Sequence, residues 1–223
     1  RLMLMLAAMN DVPLLSADIG NAYLNATCRE RIWIVAGPEF GNLQGKVLLI
    51  EKALYGLKSS GAAWRAMLRE TLLEMEFVDT VADHDVYRRR AIKPDGTAYY
   101  EYLCVYVDDL LVASHRAEEI MSQIASTYRL KDTPSVPDVY LGASISKIQD
   151  GDRHYWAMDA HKYVKSAVMR VEKDGYLLSK KRSAVPLPSS YHPEVDESEL
   201  LNPELSTRYQ EYIGMLRWAC ELG

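Results

Sequence analysis

Apolar positions in the first half of the chain predict both strands and a helix. Residues 14–19 form a short apolar run that begins after Pro13, which predicts a buried strand. Residues 31–35 and 46–51 are β-rich runs separated by glycine-containing turn signals, so we expect a turn-linked pair of strands. Between residues 60 and 76 apolar side chains recur at helical spacing, with charged side chains on the other side. This segment predicts an amphipathic helix that packs on a core.

A second pattern combines apolar runs with acids. Residues 99–107 and 110–114 are apolar, β-branched and aromatic, and only Asp108 and Asp109 interrupt them. Such runs predict two strands joined in a hairpin. The two acids would then lie at its tip.

The second half of the chain repeats this mixture of elements. Residues 117–128 predict a helix, and the runs 139–146 and 154–158 flank an Asp-Gly-Asp turn signal that predicts a second hairpin. A helix is expected from residue 160 to about 173. Residues 180–203 are rich in proline, serine and acids without periodicity, which predicts a loop or linker before a last helix. The whole pattern predicts an α+β fold with a mainly antiparallel sheet backed by helices.

Composition and charge narrow the function classes. The chain has 223 residues, of which 48% are hydrophobic, so it can bury a core as one compact domain, with or without a small appendage. The net charge of −5 counts against a nucleic-acid partner, because Lys and Arg side chains drive phosphate binding. Basic residues nevertheless cluster between positions 162 and 182. This cluster is either a solvated helix face or a phosphate-contacting surface.

The cysteines and the chain ends bear on the cellular compartment. Cys28, Cys104 and Cys220 are widely separated and lack zinc-site or disulfide-framework spacing, which favours a reducing, intracellular compartment. The opening apolar run, residues 1–9, is too short to cross a bilayer and no cleavage site follows it. We therefore expect neither a membrane span nor a secretory signal. Both ends suggest a piece of a longer polypeptide.

Asp108 and Asp109 require compensation if they terminate buried strands. Adjacent ionised carboxylates repel each other and lose hydration near a low-dielectric core. A divalent cation resolves both problems, since Mg²⁺ binds carboxylate oxygens together with substrate phosphates. A third acid on another strand, Asp18, would let two such ions support in-line displacement, which is nucleotidyl transfer. The structural alternative is that the Asp pair only serves a turn and Asp18 only a strand end.

Several segments resemble reverse transcriptases of copia-type retrotransposons, and they follow the family's order. Residues 106–109, Tyr-Val-Asp-Asp, resemble the YVDD box, and residues 17–25 resemble the DV..AFLNG segment that carries the first metal-binding aspartate. Residues 54–60 followed by Trp64 resemble the SLYGLKQSPRQW segment that distinguishes the copia-type group. Further resemblances to F.MKDLG, FLGIEI and YRS.VGSLMY lie at residues 128–132, 140–145 and 209–218.

The resemblance implies a fold and an activity. The fold would be a polymerase palm with partial fingers and the primer-grip region over residues 1–178, then a linker and the start of a thumb or connection helix over residues 179–223. The activity would be RNA-directed DNA polymerase, which copies RNA or DNA with two Mg²⁺ or Mn²⁺ ions. Its partners would be an RNA template, a DNA primer and deoxynucleoside triphosphates, with no membrane. Adjoining RNase H and integrase segments of a polyprotein, and a cytoplasmic particle or the nucleus as location, are also implied.

The resemblance also assigns catalytic roles to individual residues. It makes Asp18, Asp108 and Asp109 the metal ligands, and the carbonyl of Ile19 a possible additional one. It places the ring of Tyr23 beneath the incoming sugar, where the ring would reject a ribose 2′-hydroxyl and favour deoxynucleotides. Tyr23 could instead be an ordinary half-buried tyrosine.

Other residues are assigned to substrate binding. Tyr55 and Gly56 would line the nucleotide and template pocket, since glycine lets the backbone approach a ligand closely. Lys58 would contact phosphate or be a solvated lysine. The remaining assignments are Tyr106 and Val107 at the nucleotide and template, and Tyr140, Leu141 and Gly142 in the hairpin that grips the primer end.

Three departures from the family pattern qualify these expectations. Gly61 stands where the family has proline, and Ile19 stands where it has valine. Most of the finger strands whose basic residues fold over the triphosphate are absent from the sequence, so the chain could hold metals yet fail to close on a nucleotide. The alternatives are a non-catalytic retroelement remnant that binds nucleic acid or protein, and another palm-like phosphotransfer enzyme such as a cyclase.

Overall fold

The computed structural model describes residues 1–151, 153–176, 192, 195 and 197–222. They belong to two units, Arg1–Asp138 with Lys147–Ala157 and Val139–Ser146 with Met158–Gly223. The elements in chain order are α1 (Leu2–Met9), β1 (Leu14–Asp18), α2 (Ala22–Asn25), β2 (Trp33–Val35), a 3-10 helix (Pro38–Leu43), β3 (Val47–Leu49), α3 (Ser60–Glu74), β4 (Val78–Asp79), β5 (Val86–Ile92), β6 (Ala98–Tyr106), β7 (Asp109–Ala113), α4 (Ala117–Thr127), β8 (Val139–Tyr140), β9 (Ala143–Asp150), β10 (Arg153–Asp159), α5 (His161–Lys173) and α6 (Pro203–Leu222).

An antiparallel five-stranded sheet in the order β1-β7-β6-β5-β4 forms the centre of the first unit. Strand β7 lies between β1 and β6, and Leu110 and Val112 are completely buried. Its other apolar residues, Leu111 and Ala113, are buried as well, so both faces of β7 are covered. This explains why its sequence is a continuous apolar run without alternation.

Helices α3 and α4 pack against this sheet, as the helical spacing predicted. Trp64, Leu68 and Leu72 of α3 belong to one buried cluster with Leu110 and Val112 of β7. The predicted α+β arrangement with an antiparallel sheet backed by helices is therefore confirmed. The predicted pair of strands before α3 is also present, as β2 paired antiparallel with β3.

Strand β5 was not predicted from the sequence. Its three consecutive arginines, residues 88–90, hide the alternation of a half-buried strand. Arg88 and Arg90 are exposed, whereas Arg89 between them forms a 2.7 Å ion pair with Glu101 of the neighbouring strand β6. A charged residue therefore occupies an inward position because a buried partner neutralises it.

The prediction of one strand over residues 139–146 was wrong. Leu141 and Gly142 have φ values of 51° and 85°, and they form a two-residue turn that separates β8 from β9. Two positive φ values are typical of a type I′ hairpin turn. A Cβ atom on Gly142 would also lie only 3.3 Å from Nε1 of Trp218, so two constraints favour glycine here.

In the second unit, a cluster of polar and charged side chains connects helices α5 and α6. Asp174, just after α5, accepts a 2.7 Å hydrogen bond from the Tyr212 hydroxyl and forms an ion pair with Arg208. Arg170 pairs with Glu211 at 3.1 Å. One member of the predicted basic cluster is thus engaged within the protein.

Two predictions reach beyond the described residues. The proposed division after residue 178 and the first half of the predicted linker, residues 180–191, fall within residues 177–191, which lie outside them. In the part of the chain that the structure describes, no helix is both long enough and apolar enough to span a membrane.

Candidate active site

The two acid-bearing segments meet at one end of the central sheet. In the antiparallel register of β1 and β7, Asp18 lies directly opposite Asp109. Opposed residues in such a ladder have Cα atoms about 4.5–5.5 Å apart. The long-range pairing therefore brings together two carboxylates that are distant in sequence.

The side chains of Asp18 and Asp109 interact directly. Burial, the hydrogen bond and negative charge of Asp18, and the charge of Asp108 together raise the pKa of Asp109 to about 7, although Lys131 opposes the shift. The carboxyl of Asp109 therefore retains a proton up to near neutral pH. Retention of this proton shows that positive charge is favoured between the acids. A bound cation would supply such charge.

Asp108 occupies a tight turn at the end of the hairpin. Tyr106 of β6 pairs with Asp109 of β7, which leaves Val107 and Asp108 as the two turn residues. Val107 has a φ of 58°, which is unfavourable for a β-branched residue and costs roughly 1–3 kcal/mol. The carbonyl of Asp108 accepts a 2.8 Å hydrogen bond from the backbone N–H of Ile19. This bond ties the turn to the end of β1.

A cleft of about 390 Å³ opens beside this turn. Asp108 and Tyr55 line it together with Arg129, Lys131 and residues 19–21. Both cations come from the segment after α4. The cleft therefore combines one acid with two basic side chains, a composition that suits an anionic ligand carrying a metal ion.

Backbone pairing places these cations in the site. The carbonyl of Arg129 accepts a 2.8 Å bond from the N–H of Gly20, and the N–H of Lys131 donates to the carbonyl of Asp18 at 2.8 Å. The ammonium of Lys131 lies 3.2 Å from the Asp18 carboxylate. A Cβ on Gly20 would approach the Arg129 carbonyl to 3.3 Å, which explains the glycine at this close approach.

Arg129 and Lys131 were not predicted as site residues. The sequence singled out their segment only through its family resemblance, because local patterns do not report that it pairs with the end of β1. A basic pair just after a predicted helix is usually a solvated surface. The resemblance of residues 128–132 was the available signal.

Some of the residues that were assigned to nucleotide binding lie close to the acids. The rings of Tyr23 and Tyr55 are 4.4 Å apart, and burial, then the charges of Asp108 and Tyr23, raise the pKa of Tyr55. Gly56 has a φ of 96°, which favours glycine. Lys58 is exposed on the segment that leads into α3.

Other predicted site residues are placed as follows. Tyr106 and Val107 are both exposed at the end of the hairpin. Tyr140, Leu141 and Gly142 belong to the second unit, where Tyr140 ends β8 and Leu141 and Gly142 form the β8–β9 turn. Their assignment to a primer grip stays a prediction.

The positions of Asp18, Asp108 and Asp109 indicate whether their side chains could bind a metal ion. Among the described residues, no three His, Cys, Asp or Glu side chains form a ready metal-binding group. Asp18 and Asp109 face each other, whereas Asp108 lines the cleft. The facing pair offers the carboxylate oxygens that Mg²⁺ and Mn²⁺ prefer. Asp108 is close enough for its charge to raise the pKa of Asp109.

Comparison with protein families identifies one match over most of the chain. Residues 1–179 match the family described as reverse transcriptase (RNA-dependent DNA polymerase). The matched part includes every element from α1 to α5 and all the predicted site residues.

Curated relatives agree with this match. A transposon Ty5-1 protein of Saccharomyces cerevisiae is 29% identical over 213 residues, which are 92% of this chain and 64% of the relative. The retrovirus-related Pol polyprotein from transposon RE1 of Arabidopsis thaliana is 27% identical over 68% of this chain and 10% of its own length. The transposon Ty1-NL2 Gag-Pol polyprotein of Saccharomyces cerevisiae is 29% identical over 66% of this chain and 8% of its own length.

The chain thus spans less than two thirds of the length of each of these relatives. Two of them are transposon polyproteins, in which the matching region is a small part. Together with the family match, these similarities show that the chain belongs to the reverse transcriptase (RNA-dependent DNA polymerase) family, in the copia-type retrotransposon group.

Proposed function

We propose that the chain is a reverse transcriptase core that synthesises DNA on an RNA or DNA template. In this reaction the 3′-hydroxyl of a primer attacks the α-phosphate of a deoxynucleoside triphosphate, and pyrophosphate leaves. The observation that carries the proposal is the pairing of Asp18 with Asp109 beside a turn that presents Asp108 to a cation-lined cleft. Family membership supports the same activity.

Each acid has a role in this proposal. Asp18 and Asp109 would together hold one divalent cation, and Asp108 would contribute to holding a second one, with the carbonyl of Ile19 as a further oxygen donor. When bound, the metal ions supply Lewis-acid activation of the attacking hydroxyl and charge stabilisation at the leaving group. Reverse transcriptases generally use divalent metals, which supports this donor set.

The basic side chains of the cleft act on the triphosphate. Arg129 and Lys131 line the same cavity as Asp108, so they can neutralise phosphate oxygens as the nucleotide enters. Lys131 also pairs with Asp18, and this contact raises the pKa of the Lys131 ammonium. The ammonium therefore stays charged at neutral pH and can serve either partner.

Primer extension by the chain with the missing finger strands of a family member restored upstream of residue 1 tests the proposal. With a DNA primer annealed to an RNA template, deoxynucleotides and Mg²⁺ or Mn²⁺, we expect extension by the wild type and a loss of at least about a hundredfold in Asp18→Asn, the scale of losing one electrostatic group in an active site. Asp11→Asn is the matched control. Asp11 is exposed before the other end of β1 and has a φ of 47°, which asparagine tolerates.

The outcomes separate the two candidate functions. Equal activity in Asp18→Asn and the wild type would contradict the metal-ligand assignment. A wild type that binds the primer-template but extends nothing would reject the polymerase proposal, and the chain would then be a non-catalytic domain that binds nucleic acid.

A second expectation concerns the choice of sugar. The ring of Tyr23 packs against Tyr55 beside the cleft, which supports its proposed place beneath the sugar. Tyr23→Ala removes the ring, so we expect the preference for deoxynucleotides over ribonucleotides to fall at least about tenfold. Incorporation measured with mixed nucleotides checks this. Tyr23→Phe keeps the ring and should keep the preference, whereas an unchanged preference in Tyr23→Ala would remove the residue from this role.

A further inference from the structure

The indole of Trp64 contacts the turn that presents the acids. Trp64 lies on α3 and is only 2% exposed. Its Nε1–H donates a 2.7 Å hydrogen bond to the carbonyl of Val107. Tyr128 packs edge-on against the indole, with ring centroids 5.2 Å apart and an interplanar angle of 81°. The donor is thus held in one orientation by its packing.

The acceptor of this bond is the central peptide of the turn. Val107 has a φ of 58°, whereas Asp108 is outside the positive-φ region, and this combination is typical of a type II′ turn. Glycine is usual at the first position of such a turn, so valine needs an external contact to keep this conformation. Trp64 provides a contact to the peptide that joins Val107 to Asp108.

Rotation of that peptide would change the backbone of Asp108. A type I′ turn has positive φ values at both central residues, and it differs from type II′ in the orientation of the central peptide. If the peptide rotated, the Val107 carbonyl would turn away from the indole and Asp108 would move into the positive-φ region. Its carboxylate would then point elsewhere.

We propose that Trp64 is a positioning residue that fixes the central peptide of the turn and thereby the direction of the Asp108 carboxylate. The backbone N–H of Ile19 holds the other carbonyl of the turn, at Asp108, so the two bonds fix successive peptides. This inference rests on the proposed function, because it gives Trp64 a part in metal binding. The hydrogen bond from Trp64 to the turn can be tested without any measurement of catalysis.

The test removes the N–H donor and keeps an aromatic ring at position 64. In Trp64→Phe we expect the amide NMR signals of Asp108 and Asp109 to shift or double, since two turn conformations become accessible. We also expect the Mn²⁺ concentration for half-maximal primer extension to rise at least about fivefold. Replacement of Trp64 by β-(3-benzothienyl)alanine exchanges the N–H for sulfur at nearly constant shape, and it decides the matter if Trp64→Phe does not fold.

Two controls separate positioning from general packing. Trp33→Phe makes the same chemical change at an exposed position on β2, and Leu72→Val trims the buried face of α3 two turns from Trp64. Both should leave the Asp108 and Asp109 signals and the Mn²⁺ dependence unchanged, even where Leu72→Val lowers the melting temperature.

The proposal is overturned if the amide signals stay unchanged without the Trp64 donor, or if Leu72→Val changes them equally. An unchanged Mn²⁺ dependence despite shifted signals would overturn it as well. A wild type without primer extension would instead reject the proposed function. In that case the amide signals alone decide whether Trp64 fixes the turn.

Discussion

Asp109→Asn is expected to abolish primer extension and, at the same time, to stabilise the folded chain above pH 7. The substitution removes a proposed metal-binding oxygen, so activity should fall at least about a hundredfold. The side-chain amide can still donate a hydrogen bond to Asp18, as the protonated acid does. It carries no charge, and the repulsion from Asp18 and Asp108 therefore disappears.

The gain in stability should depend on pH. Burial, then the neighbouring acids, raise the pKa of Asp109 in the folded chain to about 7 from an ordinary value of 3.8. The folded state therefore binds more protons than the unfolded state between these values, and the wild type loses stability as pH rises through 7. At pH 8 the variant should be more stable, on the order of 1–2 kcal/mol after screening by solvent. Below pH 4 the advantage should vanish.

Urea unfolding at pH 4 and pH 8, together with primer extension, checks both effects. Asp108→Asn is the comparison, because it should also abolish extension without reproducing the pH-dependent gain of Asp109→Asn. Full activity in either variant, or a stability difference for Asp109→Asn that does not change with pH, would contradict the proposed arrangement of the three acids.

Glu101→Gln should destabilise the fold by about 3–5 kcal/mol, the usual cost of breaking a buried ion pair. The Glu101 side chain is completely buried on β6, and its carboxylate lies 2.7 Å from Arg89 and 3.3 Å from Arg116. Ser114 donates a further hydrogen bond at 2.8 Å. Glutamine preserves the shape but leaves the guanidinium of Arg89, only 13% exposed, without its counter-charge.

The pH dependence of this effect has the opposite sign. Burial alone would raise the pKa of Glu101, but hydrogen bonds from Ser114 and Arg89 and the charges of Arg89 and Arg116 outweigh it and lower the pKa. The stabilisation is therefore present above the ordinary glutamate pKa and is lost as pH falls below it. Urea unfolding at pH 7 and pH 3 measures the change. Glu70→Gln, an exposed change on α3, should stay within about 0.5 kcal/mol of the wild type.

The strands and the turn that carry the acids could be predicted from the sequence alone. The apolar and aromatic runs on either side of Asp108 and Asp109 predicted a hairpin, and the pairing of β6 with β7 confirms it. The helical spacing of Trp64, Leu68 and Leu72 likewise predicted the buried face of α3. In each case the pattern is local and lies within one short segment of the sequence.

Long-range pairing and charge burial could not be predicted in this way. The positions of Arg129 and Lys131 depend on a backbone pairing with the end of β1, which no local period reports. Strand β5 was missed because the outward arginines and the inward Arg89 look alike in sequence, and only the buried Glu101 distinguishes them. Long-range partners, rather than propensity, decided these features.

The pairing of β1 with β7 also has a consequence for synthesis of the chain. Strands β2 to β6 all emerge from the ribosome after β1 and before its partner. Until β7 has been synthesised, β1 has no strand of the sheet to pair with. The pairing must then close the loop formed by the residues between β1 and β7, which is a slow step in folding. A nascent chain that ends within β6 therefore cannot assemble the paired carboxylates, and catalytic competence should arise only after β7 has been synthesised.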